Sequence, residues 1–378
     1  MQRSDCVVVG AGIIGLATAY ALLKAGKTVT ILDRDSAPLG ASIRNFGMVW
    51  PVGLPSGPAS ALAMRSREIW LEAAASAGFW IEPCGSLHLA YAEDELAVLR
   101  EFVSMEHADR GLELIGPEQV RERAPGVNPV GLLGGMWSPT ELNVESRSAL
   151  PAMWVWLSGQ PGIRLIRAAH AVAVTTGVVE IADGRRFEAD EIYVTAGREG
   201  VTLYPDLFPA GSFVPCKLQM LRTVPQPDGW RVGTHIAGGW TLRHYKSFAS
   251  CPSLPALSAR ISEQQPEFDR YGIHIMASQH SGGDLVLGDS HVYGQEITPF
   301  DDERIDRIIM DNVAKLISPP TWEISHRWHG IYLKRTDGQA TLVARPETGV
   351  TVINGVGGLG MTLSFGLAER VVQGGDGI

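Results

Sequence analysis

Cysteine is scarce in this chain: four in 378 residues, Cys6, Cys84, Cys216 and Cys251, scattered without metal-binding or redox spacing. Reduced, structural thiols are therefore expected. Positive charge is in deficit, with 32 Lys and Arg against 41 Asp and Glu and a net charge of −9. That balance argues against nonspecific binding to nucleic acid or to an anionic membrane. No apolar run is long enough to span a bilayer, and "MQRSD" leads at once into a strand-like run without the features of a signal peptide. Repeats, low-complexity tracts and long linkers are missing as well. The expectation is a cytoplasmic protein with neither a nucleic-acid nor a membrane partner, its oligomeric state open, homo-oligomer included. Any second domain is interleaved with the first, and the 45% hydrophobic content suffices for a large two-lobed unit.

What is present begins with "CVVVGAGIIGLATAYALLKAGKTVTILDRD", Cys6 to Asp35. An apolar β-branched run, a glycine turn, an Ala- and Leu-rich helix and a second strand follow one another. Gly10, Gly12 and Gly15 stand at GxGxxG spacing. Gly10 permits the tight turn, Gly12 lets a pyrophosphate approach the backbone and the helix N-terminus, and Gly15 lets helix and strand pack closely. Asp33 closes the second strand, where an acid binds ribose hydroxyls. A lone glycine fingerprint is weak, but strand, helix, strand and terminal acid in register point to a dinucleotide.

Residues 61 to 79, 93 to 112 and the stretch "PFDDERIDRIIMDNVAKLIS" carry helical periodicity, the last through Ile305, Ile308, Ile309, Val313 and Leu316. "HAVAVTTGVVEIADGRRFEADEIYVTAG" reads as three strands around a "DG" turn, and strand-rich stretches run from Phe213 to Tyr245 and from Ile273 to Leu287. "VTVINGVGGLGMTLSFGLAERVV" supplies a second strand, glycine turn and helix near the C-terminus. A helix N-terminus aimed at the pyrimidine edge of an isoalloxazine would stabilise the negative charge that reduction places there. A nicotinamide has no such need, so FAD is favoured over NAD.

Five segments carry a more specific likeness: the opening fingerprint, "GASIRNFGMV", "VTAG" from Val194, "GIYLKRTDG" from Gly330 and "GVGGLGM" from Gly355. On these the chain resembles the D-amino-acid oxidase superfamily of FAD-dependent oxidoreductases, in the branch with glycine oxidase and monomeric sarcosine oxidase. The resemblance implies an α/β fold in which a Rossmann-like FAD-binding domain (1–85, 145–205 and 325–378) is interleaved with an antiparallel-sheet substrate domain (86–144 and 206–324). It implies that Ile13, Ile14, Asp33, Arg34 and the backbone of Val172 hold the ADP half. Ser42, Arg44, Asn45, Gly47, Met48 and Val49 would line pyrophosphate and flavin, with Ala196 and Gly197 of "VTAG" beside them. Gly355, Val356, Gly357, Gly358, Leu359, Gly360 and Met361 would cradle the ring.

Two departures matter. Gly330 matches the cysteine that attaches flavin in sarcosine oxidase, so noncovalent FAD is expected. Tyr332 matches the arginine that holds the substrate carboxylate in glycine oxidase, with Lys334 and Arg335 close behind. "RNFGMVWPVG", "IHIMASQ" and "GDSHVYG" further resemble a subgroup associated with aminoalkylphosphonates. The implied reaction is oxidation of a small primary or N-methyl amine, 2-aminoethylphosphonate or its N-methyl form, with electrons passing to oxygen or another acceptor. No catalytic base is implied. Glycine, sarcosine or a D-amino acid, a 2-hydroxy acid, or a noncatalytic flavin module remain alternatives.

Candidate substrate contacts are Arg243, His274, His329, Tyr332 and Arg335. Arg243 also reads as a solvated strand charge, and His274 as a satisfied core histidine. From Lys217 to Lys246 five Lys or Arg meet the single acid Asp228, a local charge suited to an anion pocket. Strand alternation would put Arg243 and Tyr245 on one face there. Asp289, Ser290 and His291 in "GDSHVYG" offer triad residue types, but neighbours in one segment do not form a relay. They read as a turn or an interface.

Overall fold

The structure is a computed structural model that describes residues 2–378. Its first layer grows from the opening strand. Gln2–Val9 pairs in parallel with Val29–Leu32 on one side and with Arg186–Val194 on the other, and Ile163–Ile166 and Val350–Asn354 extend the parallel sheet outward. Strand alternation divides the packing: Cys6 and Val8 face one apolar cluster, Val7 and Val9 another. Helices Ile13–Lys24, Pro58–Ala77, Ser146–Ser158 and Gly360–Val372 cover the first face. A β-carbon on Gly366 would meet the Leu62 carbonyl at 2.4 Å, so glycine there lets the C-terminal helix close against Pro58–Ala77. The hairpin Ala171–Thr175 and Val178–Ile181 lies against Arg186–Val194.

The second layer is a nine-stranded sheet around a separate apolar core. Its pairings are antiparallel except for His235–Ala237, which runs parallel to Ser86–Ala90. Its longest ladder joins Phe213–Thr223 to Ile324–Arg335. This places the strand from Ile324 in the second layer, whereas the boundary expected at 325 had assigned it to the first. Eleven paired positions from Phe213↔Arg335 to Thr223↔Ile324 give it no other home. A mixed α/β fold of two interleaved layers results.

The helices stop earlier than the periodicity suggests, at Ala77, Arg110 and Leu316. Left-handed Gly78 and Gly111 end the first two. The segment from Phe213 to Tyr245 departs further from expectation, because only Phe213–Thr223 and His235–Ala237 are strands. Pro225, Pro227, Gly229, Gly233, Gly238 and Gly239 break the ladder, and Gly239–Thr241 begins a series of short turns. Alternation therefore does not apply at Arg243 and Tyr245. No disulfide joins the cysteines among the described residues, and burial pushes the thiols of Cys6, Cys84 and Cys216 up to about 12. Among the described residues no helix is long and apolar enough to cross a membrane.

Candidate active site

The two layers enclose a cavity of about 1090 Å³ that touches both glycine turns. At the first turn Gly10 has φ +97°, and a β-carbon there would meet the Thr195 carbonyl at 2.8 Å. Gly15 does not line the cavity: its Cα faces back to the turn, where a β-carbon would lie 1.8 Å from the Gly10 carbonyl oxygen. Helix Ile13–Lys24 starts at Gly12 without a side-chain cap on its N-cap residue, and Ser42 Oγ accepts from the Ile13 amide at 3.0 Å. Trp154 Nε1 donates to the Ala11 carbonyl at 2.9 Å and pins the turn from behind. Asp33 lines the cavity and accepts from the amides of Ala11 (2.6 Å) and Asp35 (2.9 Å). Burial raises its carboxyl above the usual range against those hydrogen bonds.

The second turn carries Gly355 at φ +67° and Gly357 at φ +54°. Asn354 ties it to the "VTAG" segment, donating to the Gly197 carbonyl and accepting from the Gly355 amide, both at 2.7 Å. Between the turns runs the loop Gly40–Trp50, and Asn45 Oδ1 accepts from the Gly47 amide at 2.8 Å to shape it. Arg44 lines the cavity without a carboxylate partner among the described residues, its guanidinium donating to the His329 carbonyl at 3.3 Å.

Of the residues expected around the cofactor, Gly10, Gly12, Ile13, Ile14, Asp33, Arg34, Ser42, Arg44, Asn45, Met48, Ala196, Gly197 and Gly355 through Met361 line this cavity. Gly47 and Val49 sit behind it, where a β-carbon on Gly47 would lie 1.9 Å from the Val144 carbonyl. Val172, expected to contribute its backbone, is half exposed and does not line the cavity, though its neighbours Ala169, His170 and Ala171 do.

The far wall belongs to the second sheet. His274, Tyr332 and Arg335 line it. Two expected substrate contacts do not. Arg243 is held by Asp269 at 2.7 Å, and His329 by Asp301 at 2.8 Å, each drawn to a carboxylate outside the cavity. The basic stretch from Lys217 is dispersed in the same way. Lys217 meets Asp301, Arg222 meets Asp284 and Glu145, and Arg231 donates to carbonyls, so only Lys246 of that group lines the cavity. Tertiary pairing neutralises what looked like a patch.

Sequence reasoning missed a cluster that the structure assembles on this wall. His244, His274 and His291 pack with ring centroids 3.9 to 4.8 Å apart, and Asp289 Oδ1 lies 3.0 Å from His274 Nε2. Asp289 and His291 are thus cavity groups rather than part of a plain turn. Their spacing in the chain carries no signal, because three separate segments contribute. Burial pushes His291 down to about 4 against the raising pull of Asp289, with His274 and Lys334 adding to the depression. Burial alone would raise the Asp289 carboxyl; His274 and His291 outweigh it and hold it low. Lys334 donates to Tyr293 Oη at 2.8 Å and has no carboxylate partner among the described residues.

Residues 5–373 match the DAO family, described as FAD dependent oxidoreductase. The chain belongs to the DAO family. Within solved structures the DAO chain is similar to glycine oxidase from Geobacillus kaustophilus (TM-score 0.77, 20% identity, 99% of this chain and 94% of that one). It is likewise similar to iminodiacetate oxidase from Chelativorans sp. BNC1 (TM-score 0.73, 20% identity, 98% and 96%). By sequence it is 30% identical over 142 residues to an opine oxidase polypeptide of Rhizobium meliloti, covering 34% of this chain and 38% of that one. The chain spans under two fifths of the curated relatives it matches first. The family's description is that of FAD-dependent oxidoreductases.

The residues present fit that cofactor. Two glycine turns and two helix N-termini meet one cavity, the cation-bearing loop at Arg44 runs between them, and the volume exceeds the roughly 300–1,000 Å³ of pockets for one small ligand. Replacing Asp33 with Ala is expected to weaken FAD retention by about 1–3 kcal/mol, the loss of a charged hydrogen-bond acceptor. Equilibrium dialysis of FAD checks it, and unchanged affinity would count against the assignment. Gly330 lines the cavity and no cysteine does among the described residues. Acid precipitation is accordingly expected to release all the flavin into the supernatant as FAD; colour remaining in the pellet would contradict this.

Proposed function

We propose that the protein oxidises a small primary or N-methyl amine carrying an anionic group, with 2-aminoethylphosphonate or its N-methyl derivative as the favoured substrates. The observation that supports an anionic substrate is Lys334, a cavity-lining ammonium without a carboxylate partner among the described residues, close enough to His244 and His291 to depress both. In this reading Gly10, Gly12, Ile13, Ile14, Asp33 and Arg34 hold the ADP half of FAD, Ser42, Arg44, Asn45 and Met48 its pyrophosphate and flavin, and Gly355 through Met361 its ring, without a covalent link.

Bound FAD supplies the hydride acceptor for the carbon next to the amine nitrogen. The chain supplies orientation. Lys334 draws the anionic end to the sheet wall, with His274 and Arg335 on the same wall. Arg335 is already shared with Asp337, so Lys334 carries more of the attraction. Tyr332 lies beside Gly358 of the second turn, and burial keeps its hydroxyl protonated as a neutral hydrogen-bond donor. Met220, Met276 and Trp50 line the cavity between them and exclude water. The substrate enters as free amine, so no side chain has to act as base, and the imine product hydrolyses to an aldehyde or keto acid. Electrons leave to oxygen or another acceptor.

A cation about 4 Å from an anion at an effective dielectric near 20 gains on the order of 4 kcal/mol before desolvation. Lys334→Met is therefore expected to raise KM for 2-aminoethylphosphonate about 10- to 100-fold and to leave KM for an uncharged amine of equal length within about twofold. Anaerobic bleaching of the flavin by each amine is the measurement. Equal effects on both, or turnover of glycine and sarcosine far above any aminophosphonate, would remove the phosphonate reading; bleaching by 2-hydroxy acids alone would remove the amine.

A further inference from the structure

We propose that His244, His274 and His291 form a three-imidazole site for a divalent transition metal of the zinc class, with its fourth position open to the cavity. One ring nitrogen from each histidine lies within 4.8 Å of the other two. On His291 and His274 the opposite nitrogens are engaged in the way that metal ligands need. His291 Nδ1 sits 3.1 Å from the Gly272 carbonyl, which fixes the proton there and leaves Nε2 with a lone pair. His274 Nε2 lies 3.0 Å from Asp289 Oδ1, while its Nδ1 is buried without a hydrogen-bond partner among the described residues. An imidazole nitrogen so placed is costly unless something binds it. His244 exposes its ring to the cavity and makes no side-chain hydrogen bond to a described residue.

Three histidine nitrogens backed by a carboxylate and a carbonyl suit zinc, and also copper or nickel, better than the oxygen-seeking magnesium or calcium. Zn–N distances near 2.0–2.1 Å put tetrahedral ligand nitrogens about 3.4 Å apart, so nitrogens within 4.8 Å of one another close by at most about 1.4 Å. His244 stands just past the turn Gly239–Thr241 and its ring borders open space, so it has room to make that movement. Asp289 supplies the negative charge that partly offsets the ion beside Lys334, whose ammonium is drawn toward Tyr293. The open position faces the same cavity as the second glycine turn and suits an oxygen ligand from a small anion. The proposal stands on the imidazole geometry and holds whatever the substrate is.

The test uses the FAD-loaded protein, stripped of metal with a chelator and titrated with Zn²⁺ against a chromophoric competitor, and separately with Co²⁺ followed by its visible bands beyond the flavin envelope. The expected result is one Zn²⁺ per chain and a tetrahedral Co²⁺ spectrum. His274→Gln and His291→Gln should each weaken Zn²⁺ at least 100-fold, and Asp289→Asn about 10- to 100-fold, with the flavin-to-protein absorbance ratio unchanged. Should a buried-site variant lose its flavin, His244→Gln, at the cavity-facing ligand, answers the same question and should cost at least tenfold. Zn²⁺ binding equal in wild type and in the His244→Gln variant, or none in wild type, overturns the proposal.

Discussion

Gly15→Ala is expected to purify with less than about a tenth of its FAD. The new methyl would stand 1.8 Å from the Gly10 carbonyl oxygen and 2.7 Å from Thr195 Oγ1. Neither neighbour can yield cheaply: Gly10 is backbone in a turn, and Thr195 Oγ1 already donates to the carbonyls of Val9 and Gly10. Helix Ile13–Lys24 must therefore move away from the strand, withdrawing its N-terminus from the cavity. Overpacking of this kind costs about 1–3 kcal/mol or more, equivalent to roughly 5- to 150-fold in binding, with each tenfold worth about 1.4 kcal/mol. Gly116→Ala is the control, because a β-carbon there meets nothing within 4 Å. Stoichiometric flavin in Gly15→Ala would show that close helix–strand contact is not what holds the pyrophosphate end together.

Arg222→Met is expected to lower unfolding free energy by about 3–5 kcal/mol, the cost of leaving a buried charge without its partner. Arg222 Nε bonds Asp284 Oδ2 at 2.6 Å and its Nη2 lies 3.2 Å from Glu145, with Asp284 nearly inaccessible. The loss reaches the cavity, because Asp284 also holds His280 Nδ1 at 3.3 Å and His280 Nε2 contacts the Phe46 carbonyl of the loop Gly40–Trp50. Burial alone would raise the Asp284 carboxyl, but hydrogen bonds from His280 and Arg222 outweigh it and bring it down to about 2. Its unfolded value is near 3.9. A depressed carboxylate stabilises the fold above the unfolded value and loses that contribution as pH falls through the folded one. Wild type is therefore expected to lose roughly 2 kcal/mol between about pH 4 and pH 2 from this group, and Asp284→Asn should lack that component. Denaturant midpoints across the pH range measure both, and an Arg222→Met midpoint equal to wild type would refute the network's role.

Local sequence determined the dinucleotide end of this protein. Cys6 to Asp35 and the stretch from Val350 each make strand, turn and helix from neighbouring residues, and glycine is required wherever backbone or another element approaches too closely for a β-carbon. The contact of Gly15 with Gly10 is local, so spacing reveals it, whereas those of Gly10 with Thr195 and of Gly366 with Leu62 join distant segments. The continuous apolar run Cys6–Val9 is that of a strand buried on both faces, as its packing against two separate clusters bears out. The substrate end obeyed no such rule. Arg243 and His329 carried suitable charge in suitable segments, yet their fates were set by Asp269 and Asp301, carboxylates that the chain brings from elsewhere. His244, His274 and His291 come from a turn and two loops flanking different strands, and nothing in their separation along the chain foretells that their rings meet within 5 Å. Turn geometry is a property of consecutive backbone angles and is written locally; the pairing of charges and the meeting of imidazoles depend on the register of long-range strands, Phe213–Thr223 against Ile324–Arg335 above all, which only the folded sheet decides.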